Sequence, residues 1–212
     1  MMGKSLYSMM LNDEVIRRID EVAETSGTNR SNLVNRILAD YVSYTTPEMR
    51  IRGIFEHMNA LLSSSDFLLP TENTGRLFSI STSLEYKYRP TVKYCVELYS
   101  TPHKSIGKMK VLYRINSEEL LYNLYAFFND FIAVEQKLCP LPIEYVSAAG
   151  KFSREFVLPT NTNYSPDELG KTITNYIKNF DMMLKKYLSK RYENLSQMET
   201  DYKIYLSKSN LL

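Results

Sequence analysis

Tryptophan is missing from this chain, and cysteine and histidine are down to two residues each. Cys95 and Cys139 stand alone, with no CxxC spacing and no His pair nearby. That excludes a disulfide framework and suits a reducing compartment. His57 and His103 lie far apart, with no HExxH, GxSxG, P-loop or GxGxxG beside them, and both read as surface or partner-satisfied residues. Cys95 reads as a core residue on a strand rather than a nucleophile. The expectation is a protein that is not an enzyme, with no metal and no cofactor. No window of 18 apolar residues occurs, and Asn12, Asp13 and Glu14 interrupt the amino terminus before it reaches signal-peptide length. A cytoplasmic protein with no membrane partner is expected. Charge of neither sign dominates, since a formal net charge of +2 makes no strongly basic overall field.

What is present is ordinary for a globular chain: 44% hydrophobic and 24% charged residues. A length of 212 residues holds one large or two small domains. Seventeen tyrosines supply rings with polar tips, which serve cores and interfaces equally.

The first stretch poses the main question. In "KSLYSMML", Tyr7, Met9 and Leu11 alternate with Leu6, Ser8 and Met10, and a period of two predicts a strand. Asn12 then caps a helix whose first turn carries Asp13 and Glu14 at the positive dipole end. Val15, Ile19, Val22 and Ala23 form its apolar stripe, and Gly27 ends it. Asn29 is a second cap, followed by Leu33, Val34, Ile37, Leu38, Tyr41 and Val42. A lone strand leaves its backbone groups unpaired. One strand and two short helices are also too little to bury a core. Both difficulties vanish if two copies meet, with their strands antiparallel across a two-fold axis and four helices closing over one face.

The run "LYSMMLNDEVIRRIDEVAETSGTNRSNLVNRILADYV" resembles the ribbon-helix-helix fold of the Arc, MetJ and CopG repressors over about residues 4–43. The features that carry it are Leu11-Asn12-Asp13-Glu14-Val15 at the junction, Gly27 at the inter-helix turn, and Asn29-Arg30-Ser31 opening the second helix. The resemblance implies a homodimer that lays a two-stranded ribbon in the major groove of double-stranded DNA. It places Tyr7, Met9, Leu11, Val15, Ile19, Val22, Leu33, Ile37, Leu38 and Tyr41 in the dimer core. It leaves Leu6, Ser8 and Met10 to read bases. It also implies phosphate contacts from Lys4, Asn29, Arg30, Ser31 and Asn32, because the first N–H groups of a helix lack internal partners and suit an anion.

The sequence departs from the family at the reading positions. The family usually carries Arg, Lys, Thr, Asn or Gln there, whereas only Ser8 of the three can hydrogen-bond here. Leu6 and Met10 reach thymine methyls but make no bidentate pair, so specificity would lean on DNA shape and on repeated dimers. The alternative is a ribbon that packs against protein, in an antitoxin or a phage or plasmid accessory factor that uses this unit mainly to dimerise. Residues 1–44 carry five basic and six acidic side chains, a net −1, and phosphate binding needs more. Residues 45–110 hold nine basic against six acidic, among them Arg50, Arg52, Lys87, Arg89, Lys104, Lys108 and Lys110, most of which read as a solvated sheet face.

The division expected is 1–45 for the ribbon-helix-helix unit, 46–70 for a connecting helix and the hinge "SSSDFLLPTENTG", and 71–212 for an α+β domain. That domain reads β-β-β-α-β-α, with helices on one side of a sheet. Strands follow Phe78 to Tyr86, Val92 to Leu98 and Met109 to Ile115. A helix then runs from Asn116 or Ser117 to about Leu138. Ile143 to Leu158 is a strand or a hairpin turning at Gly150. "SPDE" at 165–168 is a capping box with Pro at the first helical position, and its apolar pattern runs weakly on to Tyr205. This domain is expected to sense a small-molecule effector, add an oligomer contact or bind a protein partner. The aromatic run "LLYNLYAFFNDFI" is read as core rather than as pocket lining.

Overall fold

The structure, a computed structural model, describes residues 6–69, 75–148 and 150–212. The chain divides into two compact units, Met1–Arg50 and Ile51–Leu212.

The first unit is a helical hairpin. α1 (Asp13–Thr25) starts where the Asn12 side chain accepts a hydrogen bond from the Glu14 N–H at 2.9 Å. α2 (Arg30–Tyr41) starts where Asn29 accepts from the Asn32 N–H at 2.9 Å. Between them Gly27 takes φ +61, the Gly27 N–H donates to Glu24 O, and the Thr28 N–H donates to Ala23 O. This is the paired-bond helix terminus that a residue in left-handed conformation makes possible.

The amino-terminal strand is not formed. Residues 6–12, the described part, carry no regular secondary structure. The physical reason is pairing: a strand at this point needs a second backbone, and this one chain offers none here. Of the residues expected in a dimer core, only Leu33 is buried, at 2% exposure. Ile19 is half-buried, and Tyr7, Met9, Leu11, Val15, Val22, Ile37, Leu38 and Tyr41 are exposed.

The second unit is a five-stranded antiparallel sheet with helices on one face, the mixed α/β architecture expected of it. It opens with α3 (Pro47–Leu62), whose first turn lies across the division. Ile51, Ile54, Phe55, Met58 and Leu62 of α3 all join the core. The connecting helix is therefore an element of the larger unit rather than a spacer. Residues 70–74, within the expected hinge, lie outside the described residues.

β1 (Leu77–Ser83), β2 (Thr91–Leu98) and β3 (Gly107–Tyr113) form a meander. α4 (Glu118–Leu138) crosses over, and the hairpin of β4 (Tyr145–Ala148) and β5 (Lys151–Phe156) turns at Gly150, φ +72. β5 pairs with β3, giving the order β1-β2-β3-β5-β4. α5 (Pro166–Leu188) and α6 (Leu195–Lys208) complete the layer. The predicted capping box is present: the Glu168 N–H donates to Ser165 Oγ, and the Ser165 N–H donates to Glu168 Oε2. The pattern that ran on to Tyr205 is two helices, because Lys190 leaves the helical region at φ +53.

Alternation decides what each strand buries. Ile80, Tyr94, Val111 and Phe152 stand in cross-strand register on the covered face. Phe128 of α4 stacks on Phe152 with ring centres 4.6 Å apart, and Phe131 meets Phe180 of α5 edge-on at 4.8 Å. The aromatic run of α4 is thus core: Leu120, Leu124, Phe127, Phe128, Phe131 and Val134 are all buried. α3 and α5 pack closely at Gly170, where an added Cβ would stand 2.9 Å from Ile54 O.

Candidate nucleic-acid interface

The hairpin gathers its polar groups around the start of α2. With Asn29 capping Asn32, the N–H groups of Arg30 and Ser31 still lack an intrahelical partner, at the positive end of the helix dipole. Ser31 and Asn32 are exposed in the same turn. Lys4, the other expected phosphate contact, lies outside the described residues.

Arg30 is held by a residue ten positions earlier. Its Nε donates to Asp20 Oδ1 at 2.7 Å, and its Nη2 donates to Asp20 Oδ2. This fork lies across the inter-helix turn and joins α1 to α2. The Arg30 guanidinium beside it holds the Asp20 carboxyl below its ordinary range, and Asp20 in turn raises Arg30. A fork of this kind leaves the Nη1 edge of Arg30 available to an outside acceptor. The apolar stripe of Val15, Ile19, Val22 and Ala23 leaves Asp20 on the other face of α1 but gives no sign of its partner. The two cations of α1 are also engaged, Arg17 with Glu14 and Glu21 and Arg18 with Glu14.

Two apolar features flank this polar start. Leu6 and Met10, assigned to base reading, are fully exposed, with Ser8 exposed between them. Val15, Val22, Ile37 and Leu38 are each 45–48% exposed, and Tyr41 is 88% exposed. Large side chains at this exposure, on two helices of one hairpin, form an incompletely covered apolar surface.

The second unit holds one conspicuous group of ionisable side chains. Glu135 accepts from Tyr145 at 2.8 Å, Tyr202 at 2.7 Å and Tyr176 at 3.3 Å, and from Arg154 Nη2 at 2.9 Å. Arg154 also donates to Leu212 O and lies 4.5 Å over the Tyr176 ring. Burial pushes the Tyr145, Tyr176 and Tyr202 hydroxyls up, and the Glu135 charge adds to that shift. Glu135, Arg154, Tyr176 and Tyr202 are buried and Tyr145 is half-buried, so the group reads as a structural network.

A shallow groove of about 340 Å³ runs along α5 and α6, lined by Lys178, Met182, Asp201, Ile204, Tyr205 and Lys208. His57 Nδ1 stands 3.6 Å from Asp167, and Cys95 and Cys139 are buried free thiols. Cys95 lies on the sheet face opposite the aromatic core, screened by its neighbours. Among the described residues no group of three or more His, Cys, Asp and Glu side chains could hold a metal, and no helix is long and apolar enough to cross a membrane. Comparison with protein-family models, with curated proteins and with solved structures found no match.

Proposed function

We propose that this protein is a dimeric DNA-binding regulator, most simply a repressor that occupies an operator through a ribbon-helix-helix unit at its amino terminus. The observation that carries the reading is the exposed apolar surface of the hairpin. Val15, Val22, Ile37, Leu38 and Tyr41 are the positions a dimer core would use, and the single chain leaves them in water. A second copy would cover them and would supply the strand that residues 6–11 lack. Apolar burial of this kind is worth about 25 cal/mol per Å² removed from water.

The capped start of α2 supports DNA as the partner. Asn29, Ser31 and Asn32, with Arg30 held by Asp20, present small polar groups, free N–H groups and one cation at a positive helix end. In the reading adopted here they clamp phosphates while Leu6, Ser8 and Met10 enter the groove.

Leu6 and Met10 favour a second reading. Their full exposure and lack of hydrogen-bonding groups suit a ribbon covered by protein, in an accessory factor whose hairpin mainly dimerises. A gel-shift series on the DNA upstream of the gene, with a salt titration, separates the two. The DNA reading expects affinity that falls steeply with salt, and weaker binding for Arg30→Ala and Ser8→Ala. Affinity indifferent to salt, or unchanged in both variants, contradicts it.

A further inference from the structure

The sheet of the second unit has a face its helices do not cover. Strand alternation puts Ser81, Lys93, Leu112, Lys151 and Ala148 in one cross-strand row on that face, and Ser79, Cys95, Lys110, Ser153 and Val146 in the next. A third row holds Leu77, Glu97, Lys108 and Glu155. The two ends of this face differ in charge. At one end Lys110 pairs with Glu97 at 2.6 Å, and Lys108 stands 3.9 Å from Glu97 and 3.8 Å from Glu155. At the other end stand Lys93, Lys151, Arg114 and the β1–β2 turn residues Lys87 and Arg89, and none of the five is in an ion pair among the described residues. Of the carboxylates in the adjoining segments, Glu85 stands 4.0 Å from Arg191 and Glu119 engages Tyr86, and the charge of Lys151 also acts on Glu97 at the other end.

The turn exposes Lys87, Tyr88 and Arg89 while Tyr86 packs against the core. The Arg89 N–H donates to Tyr86 O at 2.8 Å, which puts Tyr88 at the turn position where glycine is usual, with φ +68. Arg89 follows at φ +41. Tyr88 is 90% exposed, with Lys87 Nζ 5.5 Å from its ring centre. Two successive non-glycine residues in this region cost about 1–2 kcal/mol each.

From these observations we infer that this end of the open sheet face binds the phosphate backbone of duplex DNA. Charge complementarity selects the partner. Five cations outside any ion pair gather on two strands, just past the end of β3 and in a turn, with Lys93 and Lys151 about 10 Å apart across two strand spacings. Leu112 stands between them and Ser81 and Ala148 flank them, so the strand row carries no aromatic ring on which a base would stack. The row therefore engages phosphates and reads no sequence, while the one exposed ring, Tyr88, stands in the turn. The choice of duplex DNA as partner rests on the function proposed above.

The test uses the full chain and a random-sequence duplex in a salt titration. Arg89→Ser/Lys93→Ser/Lys151→Ser is expected to bind at least tenfold more weakly, with a log–log salt slope shallower by about two to three, near 0.9 per lost phosphate contact. Lys171→Ser/Lys203→Ser, on exposed helix positions, keeps affinity and slope. If the triple variant folds poorly, Arg89→Gln/Lys93→Gln/Lys151→Gln serves in its place, with the same expected loss of affinity and slope. An unchanged slope in the triple variant, an equal loss in the helix control, or preferential binding to anionic vesicles or single strands overturns the inference. Failure here is distinct from failure of the proposed function. Binding lost in Arg30→Ala but kept in the triple variant sinks only the sheet face, and the opposite pattern sinks only the ribbon.

Discussion

Arg154 and Glu135 meet at 2.9 Å in the interior of the second unit, at 1% and 0% side-chain exposure. The pair joins β5 to α4, and Tyr145, Tyr176 and Tyr202 bring β4, α5 and α6 to the same carboxylate. One buried charge pair thus ties together five elements of the larger unit. Removing one partner leaves a charge without compensation, which typically costs about 3–5 kcal/mol. Glu135→Leu and Arg154→Leu are each expected to lose stability in that range by urea denaturation. The double replacement is expected to lose less than either single change, because no unpaired charge remains. A double variant that loses the sum of the singles would show that the two residues act independently.

Lys190 closes α5 in a conformation that lysine tolerates poorly. Its N–H donates to Tyr187 O, the Arg191 N–H donates to Lys186 O, and φ is +53. Glycine makes the same terminus without the Cβ clash. Lys190→Gly is therefore expected to stabilise the unit by about 0.5–1 kcal/mol, net of the entropy glycine adds to the unfolded chain. Thermal melting checks the sign, and a lower midpoint would contradict this account of the helix end.

Asp181 gives the larger unit a pH dependence of definite sign. Burial raises its carboxyl above the ordinary 3.8, against the opposing pull of Lys185 at 2.7 Å and the Tyr94 hydroxyl at 2.9 Å. The folded chain holds this proton more tightly than the unfolded one. Its contribution to stability is present below the ordinary value and is lost as pH rises through the folded value. Asn at this position keeps one of the two acceptor oxygens and does not titrate. The stability of the native chain relative to Asp181→Asn should fall as pH rises from below 3.8, as measured by denaturant midpoints. A constant difference would show that the carboxyl is not shifted.

Local signals were legible in the sequence, and contacts between distant residues were not. Asn12, Asn29, Ser117 and Ser165 act on N–H groups two or three residues away, so a cap and an apolar stripe sufficed to place α1, α2, α4 and the start of α5. Alternation likewise placed β1 to β3 and the β4–β5 hairpin. The insertion of β5 beside β3 depends on pairing across α4, which no local pattern encodes. The break at Lys190 was hidden because neither glycine nor proline marks it. The fork between Asp20 and Arg30 spans the turn of the hairpin, and periodicity records the face of Asp20 but not its partner. Residues 6–11 alternate as a strand does, yet whether they form one depends on a second backbone.

Association through the amino-terminal hairpin is tested most directly by sedimentation equilibrium of the native chain and of Val15→Asp/Ile37→Asp. Both positions are about half exposed in the single chain, so the substitutions should leave the hairpin folded and act only on what covers it. The native chain is predicted to sediment at twice the chain mass and the variant at the chain mass, with matching circular dichroism. A native chain that stays monomeric, or a variant that remains paired, would contradict the account.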